Sequence, residues 1–349
     1  MKKIKYIVLL IVVSTTNLFA QQDVHFSQFF SSPLTLNPAN AGIYNGDLRA
    51  IMNYRSQWGS ISEPFVTSAA SVDFPVLKKM KGGMFGLGVN FFKDDAGDSK
   101  MSTMNYGLAL AYHLDISGGN NNHFLSVGFQ GGMVQRSMSY SSLTWDEQWN
   151  GVTFDQDIAT VDKVGGTAVS VLDIATGIHW YYSPTDFSRY FAGFSLYHLN
   201  SSDVAFNGSS PLIKKYTFHG GAEIGSGTSN ASVTGSPFSV LPNFVFVKQG
   251  ANQYFDVGLE AKYRLRQSSK FTNYHNAMYV TLGPYLRWGD AAYIVSRLGW
   301  NGVELAFSYD FNLSELSIAS GGSGGFEVML GYKMDLSANA TRGHSVRFR

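Results

Sequence analysis

The sequence contains no cysteine. A disulfide-stapled secreted scaffold is therefore excluded, and so is a lipoprotein held by an acylated cysteine. Beyond residue 20 no window holds eighteen or more apolar residues. That excludes membrane-spanning helices, which need about twenty to cross the hydrocarbon core. Charge is sparse, 15% of residues, with 26 Lys and Arg interspersed among 25 Asp and Glu for a formal net charge of +1. Such a balance leaves no electrostatic footprint for nucleic acid. Proline is scarce too, 9 residues against 37 glycines, while 15% of the chain is aromatic. This combination suits strands joined by tight turns, with an apolar exterior.

The 349 residues could form one large domain or two small ones, so pattern has to decide. Residues 1–20 read as a cleaved secretory signal: Lys2, Lys3 and Lys5 precede an apolar core from Tyr6 to Val13, and Ala20 offers a small residue at the cut. Leu18, three residues before the cut, is larger than the rule prefers. Export is the expectation.

From Leu48 onward, period-two alternation dominates. Phe255, Val257, Leu259, Ala261 and Tyr263 alternate with Asp256, Gly258, Glu260, Lys262 and Arg264. The same division recurs around Val303 to Asn312 and Phe326 to Asp335, and Tyr106, Leu108, Leu110, Tyr112 and Leu114 oppose Asn105, Gly107, Ala109, Ala111 and His113. About fourteen such segments fall between turn signals, each about ten residues long, the length that crosses a bilayer at a tilt. Strands of a soluble sandwich average about half that length. Trp58, Trp180, Tyr181, Tyr182, Trp288 and Trp300 lie near segment ends, where an interfacial aromatic girdle would place them. The expected fold is all-β, a transmembrane antiparallel barrel of about 14 strands. Pro242 and Pro284 fall inside two of the segments and weaken the ladder there. With a periplasmic start, odd-numbered connections are expected outside the cell, including the longest, Val134 to Ser170, and the one from Asn200 to Lys214.

Catalytic and metal patterns are weak. His113, His179 and His219 fall on the lumen face of their segments without ligand spacing, so hydrogen-bonded lining residues are expected. Gly321, Ser323 and Gly325 match a nucleophile-elbow spacing, but the elbow needs a strand-to-helix turn, and these lie in a glycine-rich loop between strands. Asp94, Asp95 and Asp98 lack the later bidentate Glu of a calcium loop and read as a solvated hairpin tip. No enzyme, cofactor or metal is expected. The inward charges Asp256, Glu260, Lys262, Arg264, Glu304, Asp310, Glu327, Lys333 and Asp335 are of mixed sign, fit either to line a water-filled pore or to pair with polypeptide inside it.

The stretch QQDVHFSQFFSSPLTLNPANAG, residues 21–42, is too rich in proline, asparagine and aromatics for a helix and too irregular for a strand. Its Gln22, Asp23, Phe26, Ser27 and Gln28, then Asn37, Pro38, Ala39, Ala41 and Gly42, then Tyr54, Arg55, Gln57 and Trp58 of the first strand, resemble the N-terminal signature of the PorP/SprF family of type IX secretion outer-membrane proteins. The likeness extends through GLGVNFFKDDAG, ELAFSYDFNLSEL and FEVMLGYKM, and departs from the family in the polar loop 134–170 and the tail. It implies a non-enzymatic barrel in the outer-membrane lipid that assists secretion or surface anchoring of a large adhesin-like substrate through that substrate's C-terminal domain, as in gliding motility. Other type IX components are implied as further partners. The long loops, rich in aromatic and acidic residues, favour the SprF type over the PorP type, and a porin or selective channel is the alternative. The expected organisation is a signal at 1–20, a family-motif segment at 21–47, a barrel at 48–336 and a tail at 337–349. The motif segment is expected at the periplasmic mouth or in the lumen, with Phe26, Phe29 and Phe30 buried on small inward residues and Pro33 and Pro38 fixing extended turns.

Overall fold

The computed structural model describes residues 23–61, 63–76, 82–97, 101–118, 122–139, 145–155, 157–158, 167–185, 188–225, 238–266 and 278–334. The expected signal, Gln22, Asp98, Asp335 and the tail lie outside the described residues.

Fourteen strands form where the alternation runs: β1 (Leu48–Gln57), β2 (Phe65–Val76), β3 (Gly83–Ala96), β4 (Met101–Asp115), β5 (His123–Ser137), β6 (Ala168–Thr185), β7 (Ser188–Tyr197), β8 (Lys215–Gly225), β9 (Phe238–Gln249), β10 (Asn252–Arg266), β11 (Met278–Arg287), β12 (Ala291–Trp300), β13 (Val303–Asn312) and β14 (Ser323–Met334). Each pairs antiparallel with its chain neighbours, and β14 returns to β1 in register from Leu48↔Met334 to Gln57↔Gly325. The sheet closes into a barrel. Closure leaves no unpaired edge, a necessity in hydrocarbon, where stray backbone donors and acceptors find no water.

The two faces invert those of a soluble protein. Asp256 and Glu260 are fully buried inside while their neighbours Val257 and Leu259 are 40% and 51% exposed on the outer wall. Leu108, Phe129, Leu282 and Phe307 belong to the same outer apolar belt. Trp288 and Trp300, at opposite ends of the barrel, are exposed as a girdle requires. Tyr181 departs from that expectation, because its parity turns it inward against Met84 and Phe124. The Asn301-Gly302 turn joins Trp300 to Val303 with both φ angles positive, +52° and +81°, the geometry that matches strand twist in a two-residue hairpin. Pro242 and Pro284 each interrupt one ladder and leave the other intact: at Pro242 the β8–β9 pairing skips from Gly221↔Asn243 to Ile224↔Val240, and at Pro284 the β10–β11 pairing skips from Gly258↔Tyr285 to Ala261↔Leu282. Beside Pro242 lies a crevice of about 390 Å³ lined by Trp180, Tyr190, Pro242 and Phe244 among others.

The odd-numbered connections gather at one rim, hereafter the loop rim, with the even-numbered ones and the start of β1 at the other, the terminal rim. At the loop rim the β7–β8 connection folds inward, with Val204 and Leu212 buried against Val134. The last connection carries a short helix, Leu316–Ser320, ended by Gly321 in the left-handed region. This helix-to-strand order reverses the strand-to-helix turn of a nucleophile elbow at Ser323. Asp94, at another loop-rim hairpin, accepts a 2.7 Å bond from Thr67 Oγ1, and Asp95 pairs with Lys93 Nζ at 2.6 Å.

Candidate functional site

Residues 23–47 thread the lumen from one rim to the other. Asp23 lies at the loop rim, where its backbone N–H donates to Gln249 Oε1 at 3.2 Å and its carboxylate meets Lys215 Nζ at 2.6 Å. The segment ends at the terminal rim, where Asp47 N–H donates to Met334 O at 2.8 Å. Sequence had left the mouth and the lumen both open, and the lumen is where it lies.

Short turns, not extended ones, carry the chain down. Pro33 opens a four-residue helical turn, Pro33–Leu36, and Pro38 a 3₁₀ turn, Pro38–Asn40, each ring occupying a first-turn position where no N–H is needed. The expectation of extended turns is corrected accordingly. Nor do Phe29 and Phe30 rest on small residues. Phe29 packs with Leu36 on Val245, Val247, Tyr285, Tyr293 and Val295, and Phe30 meets Phe191 edge-on at 5.4 Å, while Phe26 is buried. The small inward residues instead receive the segment's backbone and the Asn37 amide. A Cβ on Gly128 would collide with Ala39, one on Gly177 with Asn37, and one on Gly86 with the Ala41 carbonyl.

Polar contacts hold the segment at three levels. Near the loop rim, Ser27 and Gln28 donate their backbone N–H groups to Glu327 at 2.5 and 2.9 Å, and Ser27 Oγ donates to Asp310 at 2.6 Å. Arg55 binds Glu327 at 2.7 Å, Asp310 at 3.3 Å and the His25 carbonyl at 2.8 Å, while its Nε donates to Gln57 Oε1 at 3.0 Å. Arg287 reaches Ser27 Oγ at 3.0 Å and Asp256 at 3.2 Å. At mid-height, the fully buried Asn37 donates to the Ile178 and Phe194 carbonyls at 2.9 and 3.3 Å and accepts from Ala39 N–H at 2.9 Å. Near the terminal rim, Gly42 N–H donates to Asp73 at 2.7 Å, Arg49 forks onto Asp73 with two 2.8 Å bonds, and the Ala41 carbonyl lies 2.7 Å from His113 Nε2.

His198, just past β7 with a positive φ of 58°, supplies a fourth hold. Its Nδ1 lies 2.9 Å from Asp173 Oδ1 and its Nε2 3.0 Å from Asp23 Oδ2. Two carboxylates facing both ring nitrogens require both to donate, so the ring is an imidazolium. Burial opposes that charge, yet the carboxylates win and its pKa is pushed up to about 9. Asp23 answers in the opposite sense: burial alone would raise its pKa, but His198 and Lys215 hold it well below the usual carboxylate range.

Thirteen of the fourteen expected motif residues can therefore be placed. Asp23, Ser27, Gln28, Asn37 and Gly42 bond to the wall, Phe26, Pro38, Ala39 and Ala41 are buried in the lumen, and Arg55 with Gln57 meets the segment from β1. Tyr54 faces lipid at 41% exposure and Trp58 stacks edge-on against Phe65, both apart from the segment. Asp73, His198 and Arg287 escaped sequence reading; parity marks Asp73 and Arg287 as inward charges, whereas nothing local marks His198. His179 and His219 stack at 5.6 Å, and His219 lies 3.3 Å from Asn37 Nδ2, in the role of lining residues. Among the described residues, no group of three or more His, Asp or Glu is placed to hold a metal. The spaces left between segment and wall are small, cavities of about 60 and 30 Å³.

A family model described as the type IX secretion system membrane protein PorP/SprF matches residues 18–332. The chain belongs to the PorP/SprF family. Membership fits an outer-membrane β-barrel and a place among the membrane components of type IX secretion. No curated protein matches the sequence. Among solved structures, similar barrels include the CymD monoaromatic hydrocarbon channel, at 11% identity and a TM-score of 0.45, covering 87% of this chain and 93% of that one. A Pseudomonas aeruginosa FadL homologue aligns at 11% identity and 0.43, covering 87% and 94%, and BamA from Haemophilus ducreyi at 11% and 0.39, covering 82% and 70%. The likeness is one of architecture.

Proposed function

We propose that this PorP/SprF barrel assists secretion and surface anchoring of a large adhesin-like type IX substrate, holding that substrate's C-terminal domain in the manner of the SprF type. The observation that carries the reading is the threaded segment. A pore would keep water along its axis, whereas here residues 23–47 satisfy the inward charges Asp73, Asp310 and Glu327 and leave only small cavities. The barrel is then a rigid frame, and its work is to fix a docking surface in the membrane plane. The loop rim is assigned to the outside of the cell, where a surface-held substrate would meet it, and the terminal rim to the periplasm and the secretion machinery. In a gliding organism the substrate would be a motility adhesin.

Deleting the gene should remove one or a few large type IX cargo proteins from the cell surface, read by quantitative surface proteomics, and restoring the full chain should return them. Unchanged surface display in the deletion refutes the proposal. Planar-bilayer recording of the purified full-length barrel should show no stable conductance, and a steady open pore would favour transport instead.

A further inference from the structure

The β5–β6 connection carries an exposed apolar tip. Residues 145–155 fold into a small hairpin closed by its own bonds: Asn150 N–H donates to Thr153 O at 3.1 Å and Asp155 N–H to Gln148 O at 2.8 Å. The Asn150 side chain accepts from Val152 and Thr153 N–H at 3.0 and 2.9 Å, and Gly151 takes the positive φ of 94° that the turn needs. Gln148 is buried at the base, its Oε1 accepting from Trp145 N–H at 3.0 Å. So braced, the hairpin presents Trp149, Val152 and Phe154 at 50%, 85% and 47% exposure, with the two rings in contact at 5.1 Å. An exposed apolar cluster in a connection between strands marks an interaction site. A preorganised aromatic anchor also loses little conformational freedom on binding.

The charge around the tip selects the partner. Asp146, Asp155 and Asp157 flank its apolar residues in the chain, and residues 145–158 contain no Lys or Arg. An anionic rim is repelled by phosphate-bearing headgroups, which disfavours burial in the membrane surface, and it attracts a cationic protein surface. We infer that the Trp149–Phe154 hairpin is the docking element for the secreted partner and inserts into an apolar pocket rimmed by Lys and Arg on that protein. This rests on the secretion-and-anchoring reading above and adds the contact surface.

The test uses the full chain expressed in deletion cells. Surface proteomics of the deletion first identifies the cargo whose display depends on the barrel. Val152→p-benzoylphenylalanine, at the most exposed tip position, should then photocross-link to that cargo. The double variant Trp149→Ala, Phe154→Ala should lower display of the same cargo by roughly 30-fold, the loss typical of removing an interface hot spot. Heat-modifiable electrophoretic migration shows whether the variant barrel is folded. Cross-links to lipid alone, or full display by a folded double variant, overturn the docking inference while leaving the secretion reading intact. A deletion that loses no cargo overturns both.

Discussion

His198 offers a pH-dependent test of how the segment is held at the loop rim. The imidazolium bridges Asp23 on the segment to Asp173 on the wall. A pKa raised from 6.5 to about 9 gives stability fully present below pH 6.5 and lost as pH rises through 9. At about 1.4 kcal/mol per pH unit this is worth about 3 kcal/mol, or roughly 100-fold in the population of segments detached at that end. Asp23, whose pKa is lowered, sets the acid limit: its contribution is present above its ordinary 3.8 and fades only at lower pH. The two shifts describe one ion pair from its two ends and count once. Because the chain has no cysteine, Val24→Cys provides a single thiol beside the bridge. Its labelling by a thiosulfonate reagent reports the detached population. His198→Gln in that background should label roughly 100-fold faster than the parent at pH 6, and the two should converge at pH 10, where the parent ring is neutral. Comparison at equal pH cancels the intrinsic reactivity of the thiol. Equal rates at pH 6, or an undiminished ratio at pH 10, would refute the reasoning.

Three further outcomes follow from the lumen contacts. Arg55→Gln strands Glu327 beside Asp310 with less compensation, and the cost expected for breaking a buried ion pair is about 3–5 kcal/mol; urea titration of the barrel, followed by its heat-modifiable migration, should show a matching fall in midpoint. Gly86→Val drives a side chain into the Ala41 carbonyl, so proteolysis within residues 39–47 should rise sharply while β3 still assembles, and unchanged resistance would mean that the backbone approach is looser than described. Removing residues 23–42 from the mature chain should convert a silent barrel into a conducting one in planar bilayers, since Asp73, Asp310 and Glu327 would then face water; a truncated barrel that stays silent would mean that something else closes the lumen.

The strands were legible because alternation is a local signal with a physical cause. Fourteen strands stand where about fourteen alternating segments were expected. Pro242 and Pro284 were both rightly weak points, for the β8–β9 ladder breaks at the first and the β10–β11 ladder at the second. The segment's contacts could not be read in the same way. Arg55 meets Glu327 across 272 positions and Ser27 meets Asp310 across 283, and no periodicity links an irregular chain to the wall it touches. What sequence did offer was the mixed-sign inward charge on β10, β13 and β14, which admits either water or polypeptide inside. The phenylalanines misled for a related reason. Small inward residues looked like room for rings, but glycine at 86 and 128 makes room for a passing backbone and at 177 for the Asn37 side chain, while Phe29 and Phe30 went to the Val and Tyr wall of β9, β11 and β12.

An even number of strands normally brings a barrel's two chain ends to the same side. The threaded segment adds one more passage, so Asp23 and Met334 sit at opposite rims. On the orientation proposed above, a folded domain placed ahead of Asp23 would have to cross the barrel to reach the loop rim, whereas Met334 leaves the wall on the periplasmic side.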